Sequence, residues 1–546
     1  MSEMITVGEA IARTLEQYQV DALYGVISIH NLPIADAIGQ REKIRFVPAR
    51  GEAGAVTMAD AHGRFSGLGV ALTSTGAGAG NAVGALVEAL NAGTPLLHLT
   101  GQVEKAWLDA DTGFIHETRD QLTFLKAASK RAWRVSSANQ AIAILHKAIQ
   151  EAQTPPCGPV SVEIPVDIQS SLIPLALATA PVAPLAGAAP EPERVEALWR
   201  QLKEAKRPLL WLGGGALRCA GAVRKLADAG VTVISSTHGR GILPDAHPAS
   251  LRAFHNSPSV EAVLTQCDLT LVAGSRLRSN ETRSWTLPLP TPRIQIDIDP
   301  AAASRNYLMD DTLVGDCAAL LSALAEKAQG SEWGDARWDA QVRSAVAQAE
   351  QELREQCGVY AQLNDAIDKA LPSDGILVRD ITVSGSLWGS RLLRANGPLM
   401  NIHSLAGAIG MGLPMAIGVA IANPQRKVVG LVGDGGLSLN LGELATLAQE
   451  KANVTLLIMN DGGYGVMRGI QDKYFGGRQY YNQLHTPDFT LLAQAIGLQA
   501  WRVEQVEDFQ AVMTEALASV GPSVVEIRMD KTGALRFAGP PQKTLY

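Results

Sequence analysis

The chain has 546 residues, 47% of them hydrophobic, enough for about three domains with full cores. A net charge of −7 and a pI near 5.9 exclude an extended basic surface, so the expected partners are small molecules or other subunits and not nucleic acid. Five scattered cysteines (157, 219, 267, 317 and 357) exclude a disulfide framework or a zinc site. Together with an N-terminus that carries acids throughout and has no apolar signal region, they point to the cytoplasm.

Residues 1–171 alternate short apolar runs with helical or glycine-rich segments. The runs VDALYGV, IRFVPAR, VALTST, TPLLHLTG and PVSVEIPV predict the strands of a doubly wound α/β domain. Glu52 follows the second run, in Gly51-Glu52-Ala53-Gly54-Ala55, and opens a helix of small residues. A lone acid in a first helical turn is commonly a dipole partner. The loop 74–81, Ser-Thr-Gly-Ala-Gly-Ala-Gly-Asn, joins a strand to a helix. It departs from a dinucleotide fingerprint in its glycine spacing, and the next strand ends without the acid that would bind ribose, so a nicotinamide-dependent dehydrogenase is not expected. His30 in YGVISIHNLP and His116 in GFIHETRDQ are candidates for substrate or proton contacts, with a packed or surface histidine as the alternative.

Residues 172–194 are rich in Pro and Ala and read as an extended linker. A second α/β unit spans 195–330, with strands in RPLLWLG, VTVISS, LTLVAG and RIQIDID. Its turn Gly213–Ala216 and Arg276 and Arg278 invite a nucleotide, but a glycine-rich strand exit is also how this fold turns. The charged stretch 331–356 reads as a solvated connecting helix, and a third unit spans 357–546. No short repeat is visible, although the first and third units are candidates for a shared fold. The run from Leu405 to Ala422 has no charge over 18 residues, long enough for a membrane span. Its four glycines and Pro414 favour a buried turn and helix, so no membrane partner is expected.

The third unit carries the strongest motif. The strand KVVGLVG ends in Gly433-Asp434-Gly435-Gly436, an amphipathic helix follows, and the strand NVTLLIM ends in Asn460-Asp461-Gly462-Gly463. In a parallel βαβ unit both turns lie at the carboxyl edge of the sheet, where ligands bind. Two acids there suit a hard cation, and the glycines let backbone amides approach an anion. The alternative is that Asp434 caps a helix and Asp461 starts a turn.

These turns resemble the cofactor motif of thiamine diphosphate (ThDP) enzymes: acetolactate synthases, benzoylformate and pyruvate decarboxylases, and benzaldehyde lyase. The resemblance covers the whole chain and implies three α/β domains with doubly wound parallel sheets, in the order pyrimidine-binding, central and diphosphate-binding. It implies that Asp434, Asp461 and the Gly463 carbonyl hold Mg²⁺ on the diphosphate, with Gly433, Gly435 and Gly436 in the same turn. Glu52 would hydrogen-bond the aminopyrimidine and so activate the cofactor. Gly407 would accept the 4′-amino group, and Ile409 would be the apolar wedge beneath the two rings. Asn81 closes a loop similar to TSGPGxxN, placed beside the partner subunit's cofactor, and Thr382 lies in a segment (378–388) similar to one carrying diphosphate and substrate contacts. His30 matches a histidine position of benzaldehyde lyase, and His116 a site of active-site Gln or His.

The implied activity is a lyase that attacks a 2-oxo acid through the cofactor's C2 carbanion, then protonates the enamine or adds it to a second carbonyl. With Glu52 and Asp434 on different domains, the implied site is shared across a homodimer or homotetramer interface. Several residues depart from the family: Asp461 stands for Asn, Gly51 for His and Ile29 for an Asp or Ser, the Gln-His-Gln segment is absent, and Val466 and Met467 replace an acid. These departures favour larger, apolar or aromatic 2-oxo acids. The runner-up is an acetolactate synthase-type enzyme, with FAD the less favoured ligand of the central unit. A third reading is a catalytically inactive cofactor-binding subunit.

Overall fold

A computed structural model describes residues 3–179 and 190–535. It contains three parallel sheets. The first runs, in spatial order, Arg45–Pro48, Ala22–Gly25, Gly69–Thr73, Leu96–Gln102, Pro159–Pro165 and Arg131–Arg134. The last runs Asn401–His403, Ile376–Arg379, Val428–Gly433, Val454–Asn460, Ser523–Arg528 and Gln499–Val503. Ranked along the chain, both follow the order 2-1-3-4-6-5, so the first and third units share one topology. The middle sheet has five strands: Thr232–Ser235, Pro208–Leu212, Leu269–Ala273, Arg293–Asp297 and Asp311–Val314. Inner strands such as Val428–Gly433 and Val454–Asn460 are largely apolar and buried almost throughout, as expected where helices cover both faces.

Two stretches differ from the sequence reading. Part of 172–194 is ordered structure. Strand Leu172–Pro174 pairs antiparallel with Met4–Thr6, and helix Pro192–Glu204 has already begun by 192, while 180–189 lie outside the described residues. Backbone pairing wins there because Leu172 and Ile173 meet a free strand edge. The connecting helix, Ala336–Cys357, is not solvated all round. Trp338, Val342, Ala345, Val346, Ala349 and Leu353 form a buried stripe, and the Trp338 indole donates to Thr232 Oγ1 at 2.9 Å. Asp335 caps its start, accepting from the amides of Arg337 and Trp338.

The uncharged run 405–422 is a loop followed by helix Gly412–Ala422, buried over most of its length. Eleven residues rise only about 16 Å, roughly half a bilayer's hydrocarbon thickness. Among the described residues no helix is long and apolar enough to cross a membrane. This helix instead crosses helix Glu52–Ser66 of the first unit. The two share one apolar core, in which Ala55, Met58 and Ala59 meet Leu413, Met415 and Ile417. A Cβ on Gly418 would overlap the Met58 carbonyl, so the backbones touch at that point. Gly418→Ala should therefore cost about 1–3 kcal/mol through overpacking, read as a lowered thermal midpoint. An unchanged midpoint would show that the crossing relaxes freely.

Candidate functional site

Two clusters form at the carboxyl edges of the outer sheets. In the third unit, strands Val428–Gly433 and Val454–Asn460 are paired up to Gly433 and Met459, which sets their exit turns side by side. The Asp461 amide donates to Asp434 Oδ1 at 3.3 Å. Asp434 is fully buried, and its Oδ2 has no hydrogen-bond partner. Burial first, and the Asp461 charge second, push the Asp434 carboxyl up to about 7. A Cβ on Gly435 would stand 2.7 Å from the Gly463 carbonyl oxygen, so that oxygen faces the same turn. Two carboxylates and a carbonyl therefore converge, one oxygen unspent. This donor set fits a hard divalent cation that takes its remaining ligands from water or a phosphate. Among the described residues no group of three His, Cys, Asp or Glu side chains could hold a metal by itself.

The sequence reading missed Arg468. On helix Gly465–Tyr474 it pairs with the Asp461 carboxylate at 2.7 Å and donates to the Asp461 carbonyl at 2.8 Å. The acid that departs from the family pattern thus has a cation beside it. The only signal in the chain was an arginine seven positions after an extra acid.

Thr382 lies beside these glycines, in the turn that follows the neighbouring strand Ile376–Arg379. Thr382 caps the short helix Val383–Ser386, and its Oγ1 accepts from the Gly385 amide at 2.7 Å. Side chains on Gly433 and Gly436 would press on Thr382 Cγ2 and on Asp380 Oδ2, at 3.0 and 2.9 Å. Asp380, also missed, is buried and pushed up to about 6 by that burial. It accepts from the amides of Ile381 and Gly410, which anchors the end of the loop bearing Gly407 and Ile409. Gly407 has φ +84°, and the Ile409 side chain stands out of the loop, about a third exposed.

The second cluster is in the first unit. Glu52 begins its helix after Gly51, and Asn81 Nδ2 donates to Glu52 Oε2 at 3.2 Å. A Cβ on Gly78 would lie 2.6 Å from Glu52 Oε1, so the glycine loop packs directly on the carboxylate. His30 and His116 meet with ring centroids 5.2 Å apart. Burial, then His116, lowers the pKa of His30, whose buried Nδ1 has no partner. Gln121, a third residue the sequence reading missed, pins the loop. Its Oε1 accepts from the Gly76 amide and the Thr75 hydroxyl, both at 2.8 Å, while its Nε2 donates to Glu163 at 3.0 Å. Ile27, Ile29 and Ile115, neighbours of the two histidines in the chain, are each more than half exposed.

The fold thus gathers Glu52, Asn81, His30 and His116 in one place, and Asp434, Asp461, Gly463, Thr382 and the 407–410 loop in another. Among the described residues no hydrogen bond or ion pair joins Glu52, Asn81, His30 or His116 to Asp434, Asp461 or Thr382. A separate cavity of about 980 Å³ opens beside the middle sheet, lined by Gly213–Gly215, Arg276, Arg278 and Asp297.

The Asp434 environment has a measurable consequence. A carboxyl whose folded-state pKa lies above its ordinary 3.8 weakens the fold as pH rises past 3.8, with the full effect present above about 7. Asp434→Asn removes that effect. Thermal melts without added ligand should show the variant gaining more over wild type at pH 8 than at pH 5, and equal gains would contradict the crowding of the two acids.

Comparison with known proteins places the chain. Residues 5–124 match the thiamine pyrophosphate enzyme N-terminal TPP binding domain, 195–324 its central domain and 383–527 its C-terminal TPP binding domain. The acetolactate synthase isozyme 1 large subunit of Escherichia coli is 28% identical over 551 residues, covering 98% of this chain and 96% of that protein. A Pseudomonas aeruginosa protein named "Probable 2-ketoarginine decarboxylase AruI" is 28% identical over 536 residues, covering 96% and 94%. Acetolactate synthase of Arthrospira platensis is 28% identical over 570 residues, again covering 96% and 94%. With all three segments matched in order, the chain belongs to the thiamine pyrophosphate enzymes.

Proposed function

We propose that the protein is a ThDP- and Mg²⁺-dependent lyase that decarboxylates 2-oxo acids, joins the resulting fragment to a second carbonyl, or does both. The observation that carries this reading is the unspent Asp434 Oδ2, on a carboxylate whose Oδ1 accepts from the Asp461 amide and whose turn the Gly463 carbonyl faces, at the edge of a matched TPP binding domain. Asp434, Asp461 and the Gly463 carbonyl would hold the metal, and Gly407 and Ile409 would seat the rings. ThDP, when bound, supplies the carbon nucleophile and the electron sink. Glu52 would hold a proton at the pyrimidine N1′, with Asn81 fixing one carboxylate oxygen and leaving the other to the cofactor. The neutral-leaning His30 and its neighbour His116 would bind the substrate carboxylate or move protons. The exposed isoleucines near them support apolar substrates. The free cysteines support a reducing, cytoplasmic setting.

A second reading, an acetolactate synthase-type enzyme carrying a nucleotide such as FAD, is supported by the central cavity. It lies at the point where the strand order of the middle sheet reverses, where α/β folds bind ligands. Flavin absorbance in the purified protein, with pyruvate as the preferred substrate, would favour this reading.

The decisive assay offers pyruvate, benzoylformate and branched 2-oxo acids with ThDP and Mg²⁺, with and without an acceptor aldehyde. Glu52→Gln should lower turnover by about 10²–10⁴-fold, the usual size of a lost general acid–base, while ThDP still binds. Full activity in that variant would sink the assignment. Because among the described residues no hydrogen bond or ion pair joins the Glu52 cluster to Asp434, Asp461 or Thr382, we also propose that a homodimer completes the site. Mixing inactive Glu52→Gln with inactive Asp434→Asn protein should then restore part of the activity through mixed dimers. No recovery after subunit exchange would argue for a site within one chain.

A further inference from the structure

Residues 404–406 lead from strand Asn401–His403 into the segment bearing Gly407 and Ile409, and the first unit holds their backbone. Glu88, 1% exposed on helix Ala77–Ala92, accepts from the Leu405 amide at 2.6 Å through Oε1. Its Oε2 accepts from the Ala406 amide at 2.8 Å and the Ser404 hydroxyl at 2.7 Å. From the other side, Arg64 donates to the His403 carbonyl at 3.1 Å and Arg278 to the Leu405 carbonyl at 2.6 Å. A buried carboxylate is costly unless its lone pairs are met. Glu88 meets them with donors from three successive residues of another domain, and Arg64 adds a further one at 3.3 Å.

Gly407 follows at once, in a left-handed conformation at φ +84°. Whatever fixes Leu405 and Ala406 fixes where that turn begins. The far end is tied to Asp380 within the third unit, so Glu88 is the matching anchor at the near end. The same helix carries Asn81, seven residues earlier and two turns along, on the same face. One helix therefore sets both the partner of Glu52 and the start of the Gly407 loop.

We propose that Glu88 is a positioning residue for the cofactor. It touches none of the candidate cofactor-binding residues, yet it sets the Gly407–Ile409 segment and with it the affinity for ThDP. This rests on the ThDP reading above. The competing role is plain glue between domains, and Asp60 separates the two. Asp60 pairs with Arg64 at 2.6 Å in the same buried ion cluster, and among the described residues no hydrogen bond joins it to residues 404–406.

The test uses full-length wild type, Glu88→Gln, Asp60→Asn and Ser404→Ala, with ThDP titrated by calorimetry at saturating Mg²⁺ and thermal melts run alongside. Glu88→Gln should weaken ThDP binding by about tenfold or more, the scale of a lost charge-assisted hydrogen bond. Asp60→Asn should lower the melting temperature and leave ThDP affinity within about twofold of wild type. Ser404→Ala, which disturbs no charge, should weaken binding by about two- to fivefold and covers the case where Glu88→Gln does not fold. Wild-type affinity in Glu88→Gln or Ser404→Ala overturns the proposal. So does a loss of affinity in Asp60→Asn that tracks its loss of stability. Failure of the wild type to bind ThDP overturns the cofactor reading, and this proposal falls with it.

Discussion

The molecule is organised around one helix crossing. Helix Glu52–Ser66 and helix Gly412–Ala422 meet with no side chain between them at Gly418, where the backbone lies against the Met58 carbonyl. That contact locks the first and third sheets into a single apolar core. It also sets chemistry at both ends. Glu52 is the first residue of one helix, and the 404–411 segment leads directly into the other. The close approach leaves little tolerance for rotation, because each helix is buried nearly all round.

Charge is the second constraint. The third unit's edge crowds acids whose like charges repel. Asp434 is buried against Asp461, which pushes its carboxyl well above the usual range, while Arg468 pairs with Asp461. Asp380 is buried as deeply but is met by backbone amides, and it ties down the Gly410 end of the 407–410 loop. Glu88 follows the same logic on the other side of the domain boundary. In each case the surroundings of the carboxylate decide its role. Asp434 is left with a spare oxygen, whereas Asp380 and Glu88 are satisfied by donors.

The central unit shares one core with the third unit, where Trp211 and Phe254 join Trp388 and Leu431, keeps a second core of its own, and reaches Leu405 through Arg278. Among the described residues Arg276 and Arg278 donate to backbone carbonyls and form no ion pair with a carboxylate, so both keep their charge for the cavity they line. In the sequence those arginines stood out as candidate nucleotide contacts. Both line the cavity wall, where Arg276 is exposed and Arg278 half-buried.

Much of the fold was legible because its inner strands are continuous apolar runs punctuated by glycine turns, which forces parallel sheets covered by helices. The polar edge strands Arg131–Arg134, Asp311–Val314 and Gln499–Val503 were not, since half-buried strands carry mixed sequences. The ordered start of 172–194 was hidden for a related reason: a three-residue strand exists only because another edge is there to receive it. The turns at Asp434 and Asp461 could be placed together from the chain alone, because a βαβ unit sets neighbouring strands side by side. By itself the sequence determined the three α/β units, the two-acid turn pair and the lone acid at Glu52, because local patterning and right-handed connection dictate them. Only the tertiary structure decided that Arg468 answers Asp461, that Gln121 pins the glycine loop and that Glu88 grips residues 404–406. Those pairings join donors and acceptors from different elements, and no local pattern encodes a contact made only when separate elements pack.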